Sequence, residues 1–300
     1  MKKPLICILV LNWNGEEVIG NCLKSLERTS YPNHKIIVID NGSTDNSKEI
    51  ISKFKKAELI DLKENKGYTS GFNYGWDFCL KKYDPEYICN LNNDLVVVQK
   101  NWLDLMVKEL EKNKQMGICE NQETFPEDYF DKEYKKLKVK KTEKVKEISL
   151  VGGASMLVKK ELIKKIGGLD ENFFFGPDDK DFGLRAIKAG FKIIRTDFSR
   201  YVHLGSHSYS KSNKDFIYKH QSYGEMLYYF RHGSISNKIK MVFKQFLRIF
   251  FSYGKDSRNA EIKFHKSFLK RFFIFWKSFF SAMKSYKNIK ISEEYEMLKI

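Results

Sequence analysis

Short apolar runs rich in β-branched residues recur early in the chain, at residues 5–11, 36–39, 59–62 and 87–91. Between them, Val18, Cys22, Leu23 and Leu26, then Ile50, Ile51 and Phe54, then Leu103, Met106, Val107 and Leu110 fall at the spacing of amphipathic helices. The alternation predicts βαβ units, an α/β fold with a mostly parallel central sheet flanked by helices. In such sheets ligands gather beyond the carboxyl ends of the strands, so the residues there are the ones to read for chemistry.

Those ends form a series: Asn12-Trp13-Asn14-Gly15, Asp40-Asn41-Gly42-Ser43, Glu64-Asn65-Lys66-Gly67 and Asn92-Asn93-Asp94. Any one of them is ordinary turn chemistry. Four in register point instead to one shared site. Asp40 is a carboxylate held at a strand end, suited to accept from the N–H of a base or the hydroxyls of a ribose. Extended geometry turns Asn92 and Asp94 to the same side, an oxygen pair suited to a hard divalent ion shared with a diphosphate. Glycine recurs every four residues at Gly67, Gly71 and Gly75, which suits close backbone approach to a ligand or to a packed helix. No GxGxxG or GxxxxGK[ST] is present, which disfavours a dinucleotide fingerprint and a P-loop.

Further along, Phe173-Phe174-Phe175-Gly176-Pro177-Asp178-Asp179-Lys180-Asp181 sets three carboxylates behind three phenylalanines. They suit the acidic first turn of a helix, with Asp181 and Arg185 as an i, i+4 pair. For Asp178 and Asp179 apolar surroundings would raise a pKa, as a general base uses. His203 closes a predicted strand over 200–204; a lone histidine there is structural or a ligand. His207 and His220 carry no functional argument.

Taken in order, VLNWNG (10–15), IVIDNGSTD (37–45), ENKGYTSGFNYG (64–75), LNNDLVV (91–97), GGASMLVKK (152–160), GGLDENFFFGPDDKDFGLRAIKAGF (167–191) and HLGSHS (203–208) resemble the family 2 glycosyltransferases of the GT-A fold, most closely their rhamnosyltransferase-like branch. The likeness covers roughly residues 4–210. It implies a GT-A nucleotide-diphospho-sugar transferase fold and a metal-dependent inverting hexosyltransferase, with rhamnose or another hexose as the sugar. By position, Asp40 is similar to the nucleotide-binding aspartate, and Asn12, Asn65, Gly67 and Asn73 fall in the donor pocket with Asn92 and Asn93 beside them. Asp94 is similar to the last residue of the DxD motif holding Mg²⁺ or Mn²⁺, with Asn92 where the first acid usually stands, and His203 to an additional metal ligand. Asp179 is similar to the catalytic base, with Asp178 where relatives carry Glu. The implied partners are a UDP- or dTDP-linked sugar donor and a glycan or polyprenyl-linked glycan acceptor. The implied setting is cell-surface polysaccharide or glycoconjugate synthesis.

Charge changes the picture only at the end of the chain. The 300 residues carry a net +16, with 42% hydrophobic and 15% aromatic residues, a load too apolar for a disordered chain despite a mean hydropathy of −0.48. Residues 231–300 hold 16 Lys and Arg against 5 Asp and Glu, a net +11, leaving +5 for residues 1–230. We therefore expect a catalytic domain over 1–232, with a donor-binding half at 1–115 and an acceptor half at 148–232, and a basic aromatic helical tail over 233–300.

In that tail, Phe264, Phe268, Leu269, Phe272, Phe275, Trp276, Phe279, Phe280 and Met283 share one helical face, with Lys266, Lys270, Arg271, Lys277 and Lys284 on the other. Residues 239–250 repeat the pattern. The expectation is an anionic membrane surface contacted through 237–286, with a homodimer contact or packing on the catalytic domain as the alternative. Eight lysines in 131–147 read as a solvated loop, with an acceptor-phosphate contact as the alternative.

Five cysteines without paired spacing argue against a disulfide framework, and no apolar run approaches a membrane span. With residues 1–11 read as a buried first strand rather than a leader, the expected location is cytoplasmic, peripheral on the inner face of the membrane. A basic nucleic-acid-binding protein fits the net charge but leaves the strand-end acids unexplained, and nucleic acid is not the expected partner. A sugar nucleotidyltransferase needs a Gly-rich, Lys- or Arg-bearing loop where this chain has Asn12-Trp13-Asn14-Gly15. A non-catalytic glycan-binding relative would lack Asp94 or Asp179.

Overall fold

The structure, a computed structural model, describes residues 3–124, 144–204, 214–251, 253–255, 261–263 and 267–299. Residues 131–143 of the lysine-rich segment, Gly205, Ser206, His207 and Ser208, and Phe264 and Lys266 of the tail lie outside the described residues.

The first four strands are β1 (Ile6–Asn12), β2 (His34–Asp40), β3 (Ala57–Asp61) and β4 (Tyr87–Asn92). All pair in parallel in the order β3-β2-β1-β4. Strict alternation explains why β1 and β2 sit inside. Ile6, Ile8, Val10, Ile36 and Val38 feed one core layer, while Cys7, Leu9, Ile37 and Ile39 feed the other. Helices α1 (Ile19–Glu27), α2 (Ser47–Ser52) and α4 (Trp102–Glu111) cover the first layer. Helices α3 (Tyr68–Lys82), α5 (Lys160–Ile166) and α6 (Asp178–Lys188) cover the second. The glycine spacing in α3 is a packing device: a Cβ at Gly75 would stand 2.2 Å from Ile39 Cδ1, and one at Gly71 2.6 Å from Leu11 Cδ1.

Beyond β4 the sheet turns mixed. It continues through β8 (Ser155–Lys159), β6 (Met116–Thr124), β9 (Lys192–His203) and β5 (Leu95–Val97), with β7 (Val145–Ile148) also on β9. Only β6 and β9 pair in parallel here; the other partners run antiparallel. The expectation of a mostly parallel sheet thus holds for the first four strands and gives way to a mixed sheet on the far side. The solvated loop expected through residue 147 also ends earlier, because Val145 and Ile148 pack against the two core layers and draw the segment onto β9 as β7.

A third cluster is helical. Helices α7 (Lys214–His232), α8 (Ile235–Leu247) and α9 (Phe268–Ser285) bury Met226, Leu227, Phe230, Ile249, Phe275 and Ala282 together with Phe173. Ser234 and Ser267 cap α8 and α9, accepting from the amides of Asn237 and Lys270. Residues 253–255 and 261–263 form a short antiparallel pair, β10 and β11.

After α9 the tail packs on the sheet-bearing part of the chain, and one expectation for its helix needs correction. Tyr295 and Leu298 are buried in the second core layer, and the Tyr295 hydroxyl donates to the Ser70 carbonyl at 3.2 Å. The faces of α9 are sorted differently. Phe275 turns inward with Ser278 and Ala282, and Arg271, expected on the solvent face, is buried and donates from Nε to the Ile249 carbonyl at 2.8 Å. The cause is that α9 packs on α7, and a guanidinium buried there must find an acceptor.

Candidate active site

The parallel register places Asn12 beside Asp40 and Leu11 beside Asn92, so the ends of β1, β2 and β4 open on one edge. Asp40 is fully buried. Its Oδ1 accepts the Ser43 amide at 2.8 Å and its Oδ2 the Asn12 Nδ2 at 2.9 Å. The Asn12 Oδ1 in turn accepts Asn93 Nδ2 at 2.7 Å. Asp40, Asn12 and Asn93 therefore form a connected floor that ties three strand ends together.

Beside it, Asn65 Oδ1 accepts from the Gly67 amide at 2.9 Å and from Asn41 Nδ2 at 3.1 Å. Gly67 stands at φ +90°, and a Cβ there would come within 2.8 Å of the Phe174 ring, so the turn into α3 requires glycine. Asn73 is not brought to this edge. It is buried, with Nδ2 donating to the Leu169 carbonyl and to Glu171 Oε1, both at 2.9 Å, and Oδ1 accepting the Leu169 amide. Its place on the inner face of α3 makes it a clamp on the 168–171 loop, which corrects its expected place in the donor pocket.

The antiparallel pairing of Leu95 with His203 sets β5 and the end of β9 side by side. His203 Nε2 lies 3.0 Å from Asp94 Oδ2. Asp94 is buried, and its Oδ1 has no hydrogen-bond partner. A buried carboxylate oxygen without a partner is costly unless a cation or ligand group completes it. Next to it, Asn92 is half-buried and its Oδ1 takes the Tyr68 hydroxyl at 3.4 Å. A carboxylate, an imidazole and an amide oxygen form a donor set that fits Mg²⁺ or Mn²⁺. Among the described residues no group of three His, Cys, Asp or Glu converges, so an ion here would draw its remaining ligands from water and a bound diphosphate.

The opposite wall is the start of α6. Asp178 and Asp179 occupy its first turn, after a cis Gly176-Pro177 peptide. Asp178 is buried and its Oδ2 is unpartnered; burial, then the neighbouring Asp179 charge, hold its carboxyl well above the usual range. Asp179 is half-buried and its Oδ1 accepts the Lys180 amide at 2.7 Å. Burial raises its carboxyl to about 6, aided by Glu120 and opposed by Lys180. Gly153, at φ +69°, lies against it so closely that a Cβ would stand 2.8 Å from Asp179 Oδ2. By contrast Asp181 turns into the fold and binds Arg185 Nε at 2.8 Å, the i, i+4 pair expected from the sequence.

Two features went unread in the sequence. Tyr68 donates to the Gly153 carbonyl at 2.9 Å as well as to Asn92, bridging the two walls. Burial and the charges of Asp178, Asp179 and Asp94 raise its phenol well above 10, so it stays a donor. Glu120 is buried on β6, paired with Arg195 at 2.7 Å and accepting the Gly152 amide, and fixes the glycine loop from behind. The Tyr68 signal was its place at the head of α3 after Gly67; Glu120 had none, since its partner is 75 residues away. Phe174 and Phe175, which precede the α6 acids in sequence, form an aromatic cluster with Phe216 and His220, with Phe174–His220 and Phe216–His220 centroids 4.8 and 4.3 Å apart. Burial lowers His220 to about 4, keeping the ring neutral.

Known proteins carry the same plan. Residues 7–167 match the family described as Glycosyl transferase family 2, and residues 137–208 match the N-terminal domain of galactosyltransferase. The poly-beta-1,6-N-acetyl-D-glucosamine synthase of Staphylococcus epidermidis is 32% identical over 115 residues, 37% of this chain and 27% of that protein. An uncharacterized glycosyltransferase of Rickettsia typhi is 28% identical over 185 residues, 59% of this chain and 57% of its own. The chain thus corresponds to part of the length of either relative.

Among solved structures, S. aureus TarS superposes with a TM-score of 0.53 at 16% identity, over 81% of this chain and 42% of its own. The mannosyltransferase PcManGT from Pyrobaculum calidifontis, solved with GDP-Man and Mn²⁺, gives 0.56 at 15% identity, over 94% and 74%. At these identities the likeness is one of fold, and the fold is GT-A. With the strand-end acids, the mixed sheet and more than half of its length matched, the chain belongs to glycosyltransferase family 2.

Proposed function

We propose that the protein is an inverting, metal-dependent glycosyltransferase. It moves a hexose from a UDP- or dTDP-linked donor to a hydroxyl of a glycan or polyprenyl-linked glycan, in cell-surface polysaccharide or glycoconjugate synthesis at the inner face of the membrane. The observation that carries this reading is the pair of walls bridged by Tyr68: Asp94 with His203 on one side, and a half-buried Asp179 with a carboxyl near 6 on the other.

An acceptor hydroxyl is a weak nucleophile. Asp179, ionised at neutral pH yet more basic than an ordinary carboxylate, takes its proton as the oxygen attacks the anomeric carbon. Attack from the face opposite the leaving diphosphate inverts the configuration. Asp178 stays protonated and adds no second negative charge beside the base. Asn12, Asp40 and Asn93 form the floor under the nucleotide, with Asn65 and Gly67 setting its rim and Asn92 facing the diphosphate. Asp94 and His203 would hold the divalent ion, which when bound supplies charge stabilisation to the departing diphosphate. Phe174, Phe175, Phe216 and the neutral His220 offer an apolar wall to the acceptor sugar, as aromatic faces do. In this reading residues 1–115 serve the donor and 148–232 the acceptor.

The experiment is a thermal-shift screen of nucleotide sugars with and without Mn²⁺, followed by NMR of the product formed from the stabilising donor. dTDP-rhamnose comes first because of the rhamnosyltransferase-like resemblance. UDP-GlcNAc comes next because another S. aureus TarS structure was solved with it. The expected result is one donor whose stabilisation needs the metal, and an inverted product. A product of retained configuration, or no stabilisation by any nucleoside-diphosphate sugar, overturns the reading.

A further inference from the structure

Helices α8 and α9 are folded with their apolar side outward. On α9 the exposed residues Leu269, Phe272, Phe273, Trp276, Phe280 and Met283 recur at the spacing of one helical stripe, and Phe273 and Phe280 are 67% and 63% exposed. On α8 Ile235, Ile239, Phe243 and Phe246 do the same, with Ile235 at 78% and Phe250 exposed just beyond the helix end. The inward sides mix Met241, Phe275 and Ala282 with polar groups. Gln245 and Arg248 are buried around Glu225, with Arg248 Nη1 3.2 Å from Glu225 Oε2, and Arg271 is buried on the Ile249 carbonyl. A helix pair that spends buried polar contacts on its neighbour and leaves its rings in solvent has an unpartnered apolar face.

The charge around that face identifies what covers it. Lys270, Lys277 and Lys284, exposed and seven residues apart, border one edge of the α9 stripe, and exposed Lys240 and Lys244 border that of α8. Neither helix carries an acidic residue. A second copy of this chain would bring the same positive rim against itself, whereas an anionic bilayer supplies the opposite charge together with an apolar interior. Among the described residues no helix is long and apolar enough to cross a membrane.

We propose that the outward faces of α8 and α9 lie in the interface of an anionic lipid bilayer, rings among the acyl chains and lysines at the headgroups. The start of α9 fixes the orientation. Lys270 Nζ is 3.9 Å from Asp215 Oδ2, next in sequence to Phe216 of the aromatic cluster proposed as the acceptor wall. The bilayer face therefore begins at the acceptor side of the catalytic wall. This orientation rests on the glycosyl-transfer reading; bilayer binding itself does not.

The test is cosedimentation of the full chain with vesicles of phosphatidylcholine and phosphatidylglycerol, against phosphatidylcholine alone. Trp276 fluorescence gives a second readout in a Trp13→Phe background, since Trp76 and Trp102 are buried and only the half-buried Trp13 would otherwise add to the signal. Binding to the anionic vesicles with a blue-shifted emission is expected. The triple change Phe273→Ser, Trp276→Ser and Phe280→Ser is expected to lower the partition coefficient ~tenfold or more. Lys270→Gln, Lys277→Gln and Lys284→Gln together abolish the preference for anionic lipid. Absence of binding at about 0.1 M salt, or binding indifferent to the three ring substitutions, overturns the proposal. So does a dimer by light scattering that the ring substitutions split, which would assign the face to a second copy. Donor-induced thermal shift is read on the same samples, so failure of the bilayer proposal and failure of the catalytic one are told apart.

Discussion

The first turn of α6 carries acids in opposite electrostatic states on its two sides. Among the described residues Asp178 and Asp179 form no ion pair, and burial pushes both carboxyls up, with only the neighbouring Lys180 opposing it at Asp179. Asp181 is equally enclosed, and burial alone would raise it. Hydrogen bonding from His232 and the charges of Arg185 and Arg231 overrule that and hold it well below the usual range. Arg231 Nη1 lies 2.7 Å from Asp181 and 2.5 Å from Asp170, and the same guanidinium donates to the carbonyls of Tyr286 and Asn288. One helix thus presents an unpaired acid pair to the cleft and a paired acid to the helical layer. Reactivity is held on the side where the fold withholds cations, and stability on the side where it supplies them.

The largest effect expected from breaking this contrast is at the base. Asp179→Asn should lower kcat by on the order of 10²- to 10⁴-fold, with donor-induced stabilisation retained, measured by product formation beside thermal shift. Wild-type turnover in the variant would move the base elsewhere. Asp181→Asn should do the reverse. It leaves the buried Arg231 and Arg185 poorly compensated and should cost about 3–5 kcal/mol of unfolding free energy in urea, while the folded fraction keeps its kcat. If Asp181→Asn lost turnover without losing stability, the division between the two sides of this turn would be wrong.

The bridge between the walls gives a smaller effect. Tyr68→Phe removes the hydrogen bonds to the Gly153 carbonyl and to Asn92 while keeping the ring against Phe72. Loss of one buried, charge-adjacent hydrogen bond is worth about 1–3 kcal/mol, so kcat/KM should fall about tenfold or somewhat more. A variant at full activity would show that the two walls act without the phenol between them.

How much of this was readable in the sequence depends on how local the cause was. Strand ends at Asn12, Asp40 and Asn92 follow from apolar runs stopped by Asn and Asp, and the Asp181–Arg185 pair follows from helical spacing. The Asp94–His203 pair was reachable only through the resemblance, because the antiparallel register of β5 on β9 joins residues 109 apart. The second partner of Asp181 was not readable at all. Arg231 and His232 lie 50 and 51 residues further on, at the end of a helix whose sequence shows nothing of what it packs against. The tail misled for the same reason: a wheel separates rings from lysines, but packing on α7 decided which side of α9 went inward.

The most delicate test lies in the pH dependence of Asp178. A carboxyl whose folded pKa is raised contributes its stability below the unfolded value near 3.9 and loses it as pH climbs toward the folded value. Wild-type protein should therefore lose stability on this account as the pH rises above about 4, as solvent draws the proton off unfolded chains while burial keeps it on the folded carboxyl. Asn has the shape of the neutral acid and no proton to lose, so Asp178→Asn should melt close to wild type near pH 4 and a few degrees above it at pH 8. The deficit of Asp181→Asn should run the other way, full above about pH 5 and shrinking as the wild-type carboxylate is protonated in stronger acid. Differential scanning calorimetry of both variants across this range reads the two slopes. If Asp178→Asn melted lower than wild type at pH 8, the carboxylate would be ionised and paired, and the two sides of the first turn of α6 would not differ as described.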